Sequence, residues 1–135
     1  MLTPAQARRT LMSLRTLIGW SAMLMPRVLL RIFGVDPAAQ PSTVHALRLF
    51  GIRDILMAYQ LYQNQTIHST ADEMEETLRQ GIAVDGIDAI SGVAAGLRGD
   101  ISLRTTLMGS GTAALAAALG YQGRDAAGPS AVERS

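Results

Sequence analysis

The chain contains 135 residues, a length that fits one domain and disfavours an enzyme with separate cofactor and substrate domains. Charged residues make up only 17%, against roughly 25% in soluble domains, and apolar residues 48%, so the composition favours a membrane protein. A net charge of +1 disfavours nucleic-acid binding, and the absence of cysteine excludes disulfides, thiolate zinc sites and cysteine nucleophiles.

The first apolar segment runs from Leu11 to Met25 and follows two arginines. Arg15 interrupts the segment and no small-x-small cleavage site follows it, so the pattern predicts a retained helix rather than a signal peptide. Pro26 then either kinks this helix or opens a short second one. Proline suits a first helical turn, which favours the second alternative.

The short helix that Pro26 opens has the sequence PRVLLRIFG and is expected to end at Gly34. Arg27 and Arg31 are four residues apart and share one face. This arrangement is typical of a segment in the headgroup region of a bilayer, so we expect a short interfacial helix here.

Two longer helices follow. Helix two is expected to begin at Ser42 or Thr43 and to run to about Gln63. Helix three is expected to begin at Thr70, because Thr70 and Glu73 have the spacing of a capping box. Gly99 is the expected end of helix three.

Helix four, from about Ser102 to Tyr121, decides the predicted fold class. It has no charged residue from Thr105 to Tyr121, a stretch of about 26 Å at 1.5 Å per residue, close to a hydrocarbon core of about 30 Å. The sequence therefore predicts an all-α bundle of four transmembrane helices within residues 1–121. Residues 122–135, rich in glycine and mixed charges, are expected to form a disordered C-terminal tail.

Four ionisable residues lie inside the predicted crossings. Asp85 and Asp88 are in the middle of helix three, three residues apart and therefore on one face. A central aspartate is costly in hydrocarbon, so this face is expected to look into the bundle. Arg53 and Asp54, near the middle of helix two, are the expected partners in an intramembrane polar cluster.

One arginine and three aspartates give this cluster a formal charge of −2, which a low-dielectric site resists. Either another arginine such as Arg48 or Arg15 joins the cluster, or at least one aspartate is protonated at neutral pH. In one interpretation the side chains clamp the bundle. In the other, a carboxyl with a raised pKa, Asp85 or Asp88, binds a proton, a cation or a polar headgroup.

Small residues indicate where helices three and four pack. Gly92 and Gly96 form a GxxxG pair on helix three, and Gly109 and Ala113 offer a matching notch on helix four. Elsewhere the chain has no phosphate-binding glycine loop, no GxSxG serine and no histidine spacing typical of zinc or haem. We therefore expect no catalytic residue, no metal and no cofactor.

The segments PRVLLRIFGVD and RLFGIRD, together with the aspartate pair of helix three, resemble a bacterial family of small four-helix integral membrane proteins of unknown function. The chain is also loosely similar to DoxX-like membrane proteins. The resemblance covers roughly residues 10 to 121. It implies a membrane bundle without an established activity, and remotely a respiratory or quinone-linked subunit.

These observations lead to an expected role without enzymatic activity. We expect a multi-pass protein of the bacterial cytoplasmic (inner) membrane, an accessory component that binds lipid or a partner and is a homo-oligomer or part of a larger membrane complex. One alternative is a proton-coupled or small-solute transporter-like protein that uses the Arg53, Asp54, Asp85 and Asp88 cluster. A second alternative is a soluble helical interaction domain.

Overall fold

A computed structural model describes residues 1–67 and 69–125. Within these residues the fold consists of α-helices, with no β-strand, so the prediction of an all-α protein is confirmed. The five helices are α1 (Pro4–Leu24), α2 (Pro26–Ile32), α3 (Ser42–Thr66), α4 (Ala71–Arg98) and α5 (Leu103–Gln122). Of the tail predicted to be disordered, residues 126–135 lie outside the described residues, and Gln122 is the last residue of α5.

Local capping determines where the longest helix begins and ends. The Thr70 side chain accepts a hydrogen bond from the Glu73 backbone N–H, and the Glu73 side chain accepts one from the Thr70 backbone N–H, so the predicted capping box is confirmed. Gly99 ends α4 in the left-handed conformation, with φ at 78°. A residue with a Cβ would be strained there, which explains the glycine.

Two other helix starts follow the same chemistry. The Thr3 side chain and the Gln6 side chain form a second capping box, and α1 begins at Pro4, ahead of the apolar run expected to start at Leu11. At α5, the Ser102 side chain accepts a hydrogen bond from the Thr105 backbone N–H. A break at Met25 separates α1 from α2, whose first residue is Pro26.

The helices pack as two pairs, α1 against α3 and α4 against α5. In the first pair the backbones cross at two glycines, where a Cβ on Gly51 would lie 2.7 Å from the Gly19 carbonyl oxygen. In the second pair Gly92 lies against Ser110, and Gly96 against Thr106. We call the boundary between the α1–α3 pair and the α4–α5 pair the seam.

Apolar side chains from four helices close the seam at one end. They form one buried cluster, and its members are Leu11, Leu61, Leu78, Ala116 and Leu119. Outside this cluster apolar burial is incomplete, because Leu97, Leu103 and Leu107 are exposed on the outward faces of α4 and α5. The cluster therefore holds the two pairs together at one end, and the middle of the seam is packed differently.

The prediction of a multi-pass protein with transmembrane helices in the bacterial inner membrane is wrong. None of the described helices has a stretch both long enough and apolar enough to cross a membrane. In α5 the stretch from Thr105 to Tyr121 lacks charge, but it consists largely of alanine and glycine, which are weakly apolar, and of threonine and serine, which carry polar hydroxyl groups. In α1, α3 and α4, charged residues interrupt the apolar runs, among them Arg15, Arg53 and Asp85.

Candidate functional site

Five charged side chains form one network across the middle of the seam. Arg15 on α1 pairs with Asp85 on α4, with Nη2 and Oδ2 2.5 Å apart. Arg53 on α3 pairs with Asp88 on α4, with Nη2 and Oδ2 2.6 Å apart. Asp54 lies between the two arginines. The network therefore connects the α1–α3 pair to α4.

Helix geometry places these side chains together. Asp85 and Asp88 are three residues apart on α4 and face the seam together. The Arg15 side chain passes Gly81, which precedes Asp85 by one turn of α4. A Cβ on Gly81 would lie 3.2 Å from Arg15 Nη2. Glycine at this position leaves room for the guanidinium beside the backbone of α4. The Arg53 guanidinium carbon lies 4.1 Å from the centroid of the Phe50 ring, a cation–π contact that fixes its direction.

Asp54 is the least well paired carboxylate of the network. The whole residue is only 6% exposed. Its Oδ1 lies 3.5 Å from Arg15 Nη1 and 3.8 Å from Arg53 Nη2, distances that are long for charge-assisted hydrogen bonds. Asp85 and Asp88 therefore hold the short contacts, and Asp54 keeps acceptor capacity that these arginines do not use.

Three carboxylates and two guanidinium groups give the network a formal charge of −1 when all are ionised. Burial raises the pKa of Asp54 to about 6, against the opposing effect of Arg15 and Arg53. Burial also raises the pKa of Asp85, and Arg15 opposes this through its charge and its hydrogen bond. Uptake of one proton by the network would make it neutral, and Asp54 is the best candidate because its ion pairs are the longest.

A cavity of about 310 Å³ lies beside the network in the seam. Its wall is apolar over most of its surface, and the large apolar side chains that form it are Leu14, Ile18, Leu29, Phe33, Leu47, Phe50 and Ile101. At one end it is lined by three carboxylates and one guanidinium group, those of Asp54, Asp85, Asp88 and Arg15. The cavity is thus an apolar chamber with an acidic end.

Ser110 on α5 also lines this cavity. The residue is buried, and its Oγ has no hydrogen-bond partner. The hydroxyl lies against Gly92, so close that a Cβ on Gly92 would collide with it. A buried hydroxyl without a partner is uncommon in a folded protein, and here it lies in the wall of the cavity.

The site residues predicted from the sequence lie in the charge network and in the contact between α4 and α5. Arg53, Asp54, Asp85 and Asp88 all belong to the network, although Asp85 is linked to it through Arg15. Sequence reasoning left Arg15 as one of two alternatives. The structure places Arg15 at the centre of the network. Arg48, the other alternative, is exposed on α3. The available signal was that Arg15 is the one charged residue in the apolar run Leu11–Met25.

The packing residues divide differently. Gly92 and Gly96 lie in the contact between α4 and α5, and Ala113 is buried on α5. Gly109 is not a notch for a neighbouring helix, because a Cβ added to it would meet no atom within 4 Å. It faces the cavity instead, and that part of the packing prediction is wrong.

No protein-family model, curated protein sequence or solved structure matches this chain. The resemblance to DoxX-like proteins therefore stays an expectation from sequence motifs. Within residues 1–67 and 69–125, no group of three or more histidine, aspartate or glutamate side chains could hold a metal ion. The three carboxylates of the network instead face guanidinium groups.

Proposed function

We propose that the protein binds a small amphiphile that has an apolar body and a cationic or hydrogen-bond-donating end, such as a protonated alkylamine. The observation that carries this proposal is the cavity of about 310 Å³ with an apolar wall and an acidic end. The proposal keeps the expected role of a non-enzymatic binding component and drops its membrane setting.

The size and wall of the cavity suit a ligand with a short hydrocarbon body. Small-molecule sites usually have volumes of about 300–1,000 Å³, a mainly apolar lining and a few polar groups that fix orientation. This cavity lies at the lower end of that range. Transfer of apolar ligand surface from water into it would supply most of the binding free energy, at about 25 cal/mol per Å².

The acidic end would select the head of the ligand. Three of the four charged residues that line it are carboxylates, and Asp54 has only long ion pairs to its two arginines. An ammonium group or a hydroxyl could donate to Asp54 without displacing the short pairs of Asp85 and Asp88. A carboxylate head would instead add to the negative charge.

Isothermal titration calorimetry with n-octylamine and n-octanoate tests this proposal, since the two molecules differ mainly in the charge of the head. At pH 7.5 we expect octylamine to bind at least about tenfold more tightly than octanoate, a difference of about 1.4 kcal/mol. Asp54→Asn should remove most of this preference. The matched control is Asp72→Asn, which changes charge equally at an exposed residue in the first turn of α4.

The pH dependence gives a second measurement on the same complex. With a pKa of about 6, the ionised fraction of Asp54 falls about tenfold between pH 7 and pH 5. Octylamine stays protonated over this range, so its affinity should fall by about the same factor, and that of n-octanol should not. Equal affinity for amine and carboxylate, or an Asp54→Asn variant that keeps the full preference, would contradict the proposal.

A further inference from the structure

We propose that a second opening, the cleft on the other side of the charge network, is a binding site for a small oxyanion. The cleft has a volume of about 220 Å³ and is lined by residues of α1, α3 and α4. Arg15 and Arg53 both line it, and none of its lining residues is acidic. Arg15 lines the cleft and the cavity alike, and the carboxylates of the network line the cavity but not the cleft.

The polar groups of the cleft are hydrogen-bond donors. Beside the two guanidinium groups, Gln60 on α3 and Gln80 on α4 line it with exposed side chains. Thr77 on α4 lines it too, and its Oγ1 accepts a hydrogen bond of 2.6 Å from Asn64, which leaves the hydroxyl able to donate. Convergent guanidinium, amide and hydroxyl donors are the chemistry that recognises carboxylate, sulfate and phosphate oxygens.

One guanidinium edge lacks a good acceptor on this side. Arg15 Nη1 lies 3.4 Å from the sulfur of Met57, which lines the cleft. A thioether is a weak acceptor, and the Asp54 carboxylate is 3.5 Å from the same nitrogen. An oxyanion in the cleft would give Arg15 a stronger acceptor than the sulfur does.

Nearby acidic charge is already paired. Gln80 donates a hydrogen bond of 2.8 Å to Glu76, and Glu76 lies 2.9 Å from Arg79. The carboxylate of Glu76, which lies beside the cleft, is therefore already paired with Arg79 and Gln80.

Charge balance links oxyanion binding to a proton. The network carries −1 when fully ionised, so an added anion is opposed until one carboxyl takes up a proton. Asp54 faces Arg15 from α1, Arg53 on its own helix, and Asp85 and Asp88 from α4. When Asp54 is protonated, the two arginines face two ionised aspartates and the network is neutral. The affinity for an oxyanion should therefore rise as the pH falls. The affinity of the cavity for an amine should change in the opposite direction.

Calorimetric titration of the full chain with sodium sulfate, at ionic strength matched with sodium chloride, tests the site. Sulfate keeps its charge between pH 5.5 and 7.5. We expect saturable binding that is at least about threefold tighter at pH 5.5, and at least about fivefold weaker in the Gln60→Ala, Gln80→Ala double variant. Gln65→Ala, an exposed glutamine of α3 outside the cleft, is the matched control and should bind like the unaltered protein.

Sodium acetate serves as a second probe, because it presents two oxygens in a plane instead of a tetrahedral group. Saturable binding of either anion that depends on Gln60 and Gln80 supports the site. Absence of saturable binding for both anions, or a double variant with unchanged affinity, overturns it. The same double variant should bind octylamine normally, so failure of this site and failure of the cavity proposal give different results.

Discussion

Arg15 and Asp85 form an ion pair in which both side chains are about 5% exposed and the paired atoms lie 2.5 Å apart. The pair joins α1 to α4, although no Cα atom of α1 lies within 8 Å of a Cα atom of α4. These two helices are therefore linked across the seam by side chains, while their backbones remain apart. The cavity and the cleft exist on either side of this link.

Replacement by asparagine should affect the stability of the protein differently at Asp85 and at Asp54, the two carboxylates that face Arg15. Asp85→Asn leaves the buried guanidinium of Arg15 with only the long contact to Asp54, and breaking a buried pair in this way costs about 3–5 kcal/mol. Asp54→Asn leaves both short pairs intact and makes the network neutral, so at pH 7 it should keep or raise the free energy of unfolding. Urea unfolding measures both values.

Asp72→Asn is again the exposed control for this comparison, with an expected change within about 1 kcal/mol. Equal losses of stability in Asp54→Asn and Asp85→Asn would contradict the assignment of Asp54 as the loosely held carboxylate.

The stability of the protein should also depend on pH through Asp54. Burial raises its pKa from the ordinary 3.8 to about 6, so between these values the folded state holds a proton that the unfolded state has lost. The contribution of Asp54 is therefore present at low pH and is lost as the pH rises through about 6, by up to about 3 kcal/mol. The side-chain amide in Asp54→Asn cannot titrate, so the stability of this variant relative to the unaltered protein should increase from pH 4 to pH 7. A difference that stays constant over this range would show that Asp54 does not titrate in this way.

Local sequence signals predict where the helices begin and end, but they do not predict whether the helices lie in a membrane. Thr70 and Glu73 cap α4 as expected because a capping box depends on four consecutive residues. The equivalent signal is present at Thr3 and Gln6, and α1 therefore begins ahead of Leu11, where its apolar run starts. The membrane prediction is wrong because a stretch without charge, such as the one in α5, is not necessarily apolar enough to cross a membrane.

The candidate site, too, is predicted from the sequence only as far as local helix geometry determines it. The spacing of Asp85 and Asp88 places them on one face of α4, which follows from helix geometry alone. The partner of Asp85 depends on which helix lies opposite, and the periodicity of a single helix does not specify that α1 pairs with α3. The cavity does not follow from the sequence pattern either, because it depends on how the two helix pairs pack against each other beyond the buried cluster that includes Leu11.

Three glycines of α4 and α5 give a matched test of helix packing. A Cβ on Gly96 would collide with both branches of the Thr106 side chain, so Gly96→Ala should destabilise the protein by about 1–3 kcal/mol. A Cβ on Gly92 would collide with the Ser110 hydroxyl, which has no hydrogen bond to lose and can rotate away, so Gly92→Ala should cost less than Gly96→Ala. Gly109→Ala meets no atom within 4 Å and should stabilise α5 by about 0.5–1 kcal/mol, because alanine is the better helix former. Thermal or urea unfolding of the three variants measures these changes. A destabilising Gly109→Ala, or a neutral Gly96→Ala, would contradict the packing described for this helix pair.

The short helix α2 forms one end of the cavity and is held there by the first turns of α5. Leu29 and Phe33 line the cavity from this end. Thr105 Oγ1 donates a hydrogen bond of 2.9 Å to the Phe33 carbonyl oxygen, and Arg104 Nε donates one of 3.0 Å to that of Ile32. These bonds satisfy carbonyl groups at the end of α2 that have no partner within the helix.

Thr105→Val keeps the shape of the side chain and removes one of these bonds, so it should loosen α2 at a cost of about 1 kcal/mol in stability. If a ligand reaches the cavity past α2, stopped-flow measurements with octylamine should show association and dissociation rates that rise together by about fivefold. The dissociation constant should then change little, because the variant affects the passage and leaves the acidic end intact. Thr16→Val is the control, since Thr16 is exposed on α1 and its hydroxyl donates to the Met12 carbonyl oxygen one turn earlier in the same helix. Rates in Thr105→Val that match those of Thr16→Val would place the passage elsewhere on the seam.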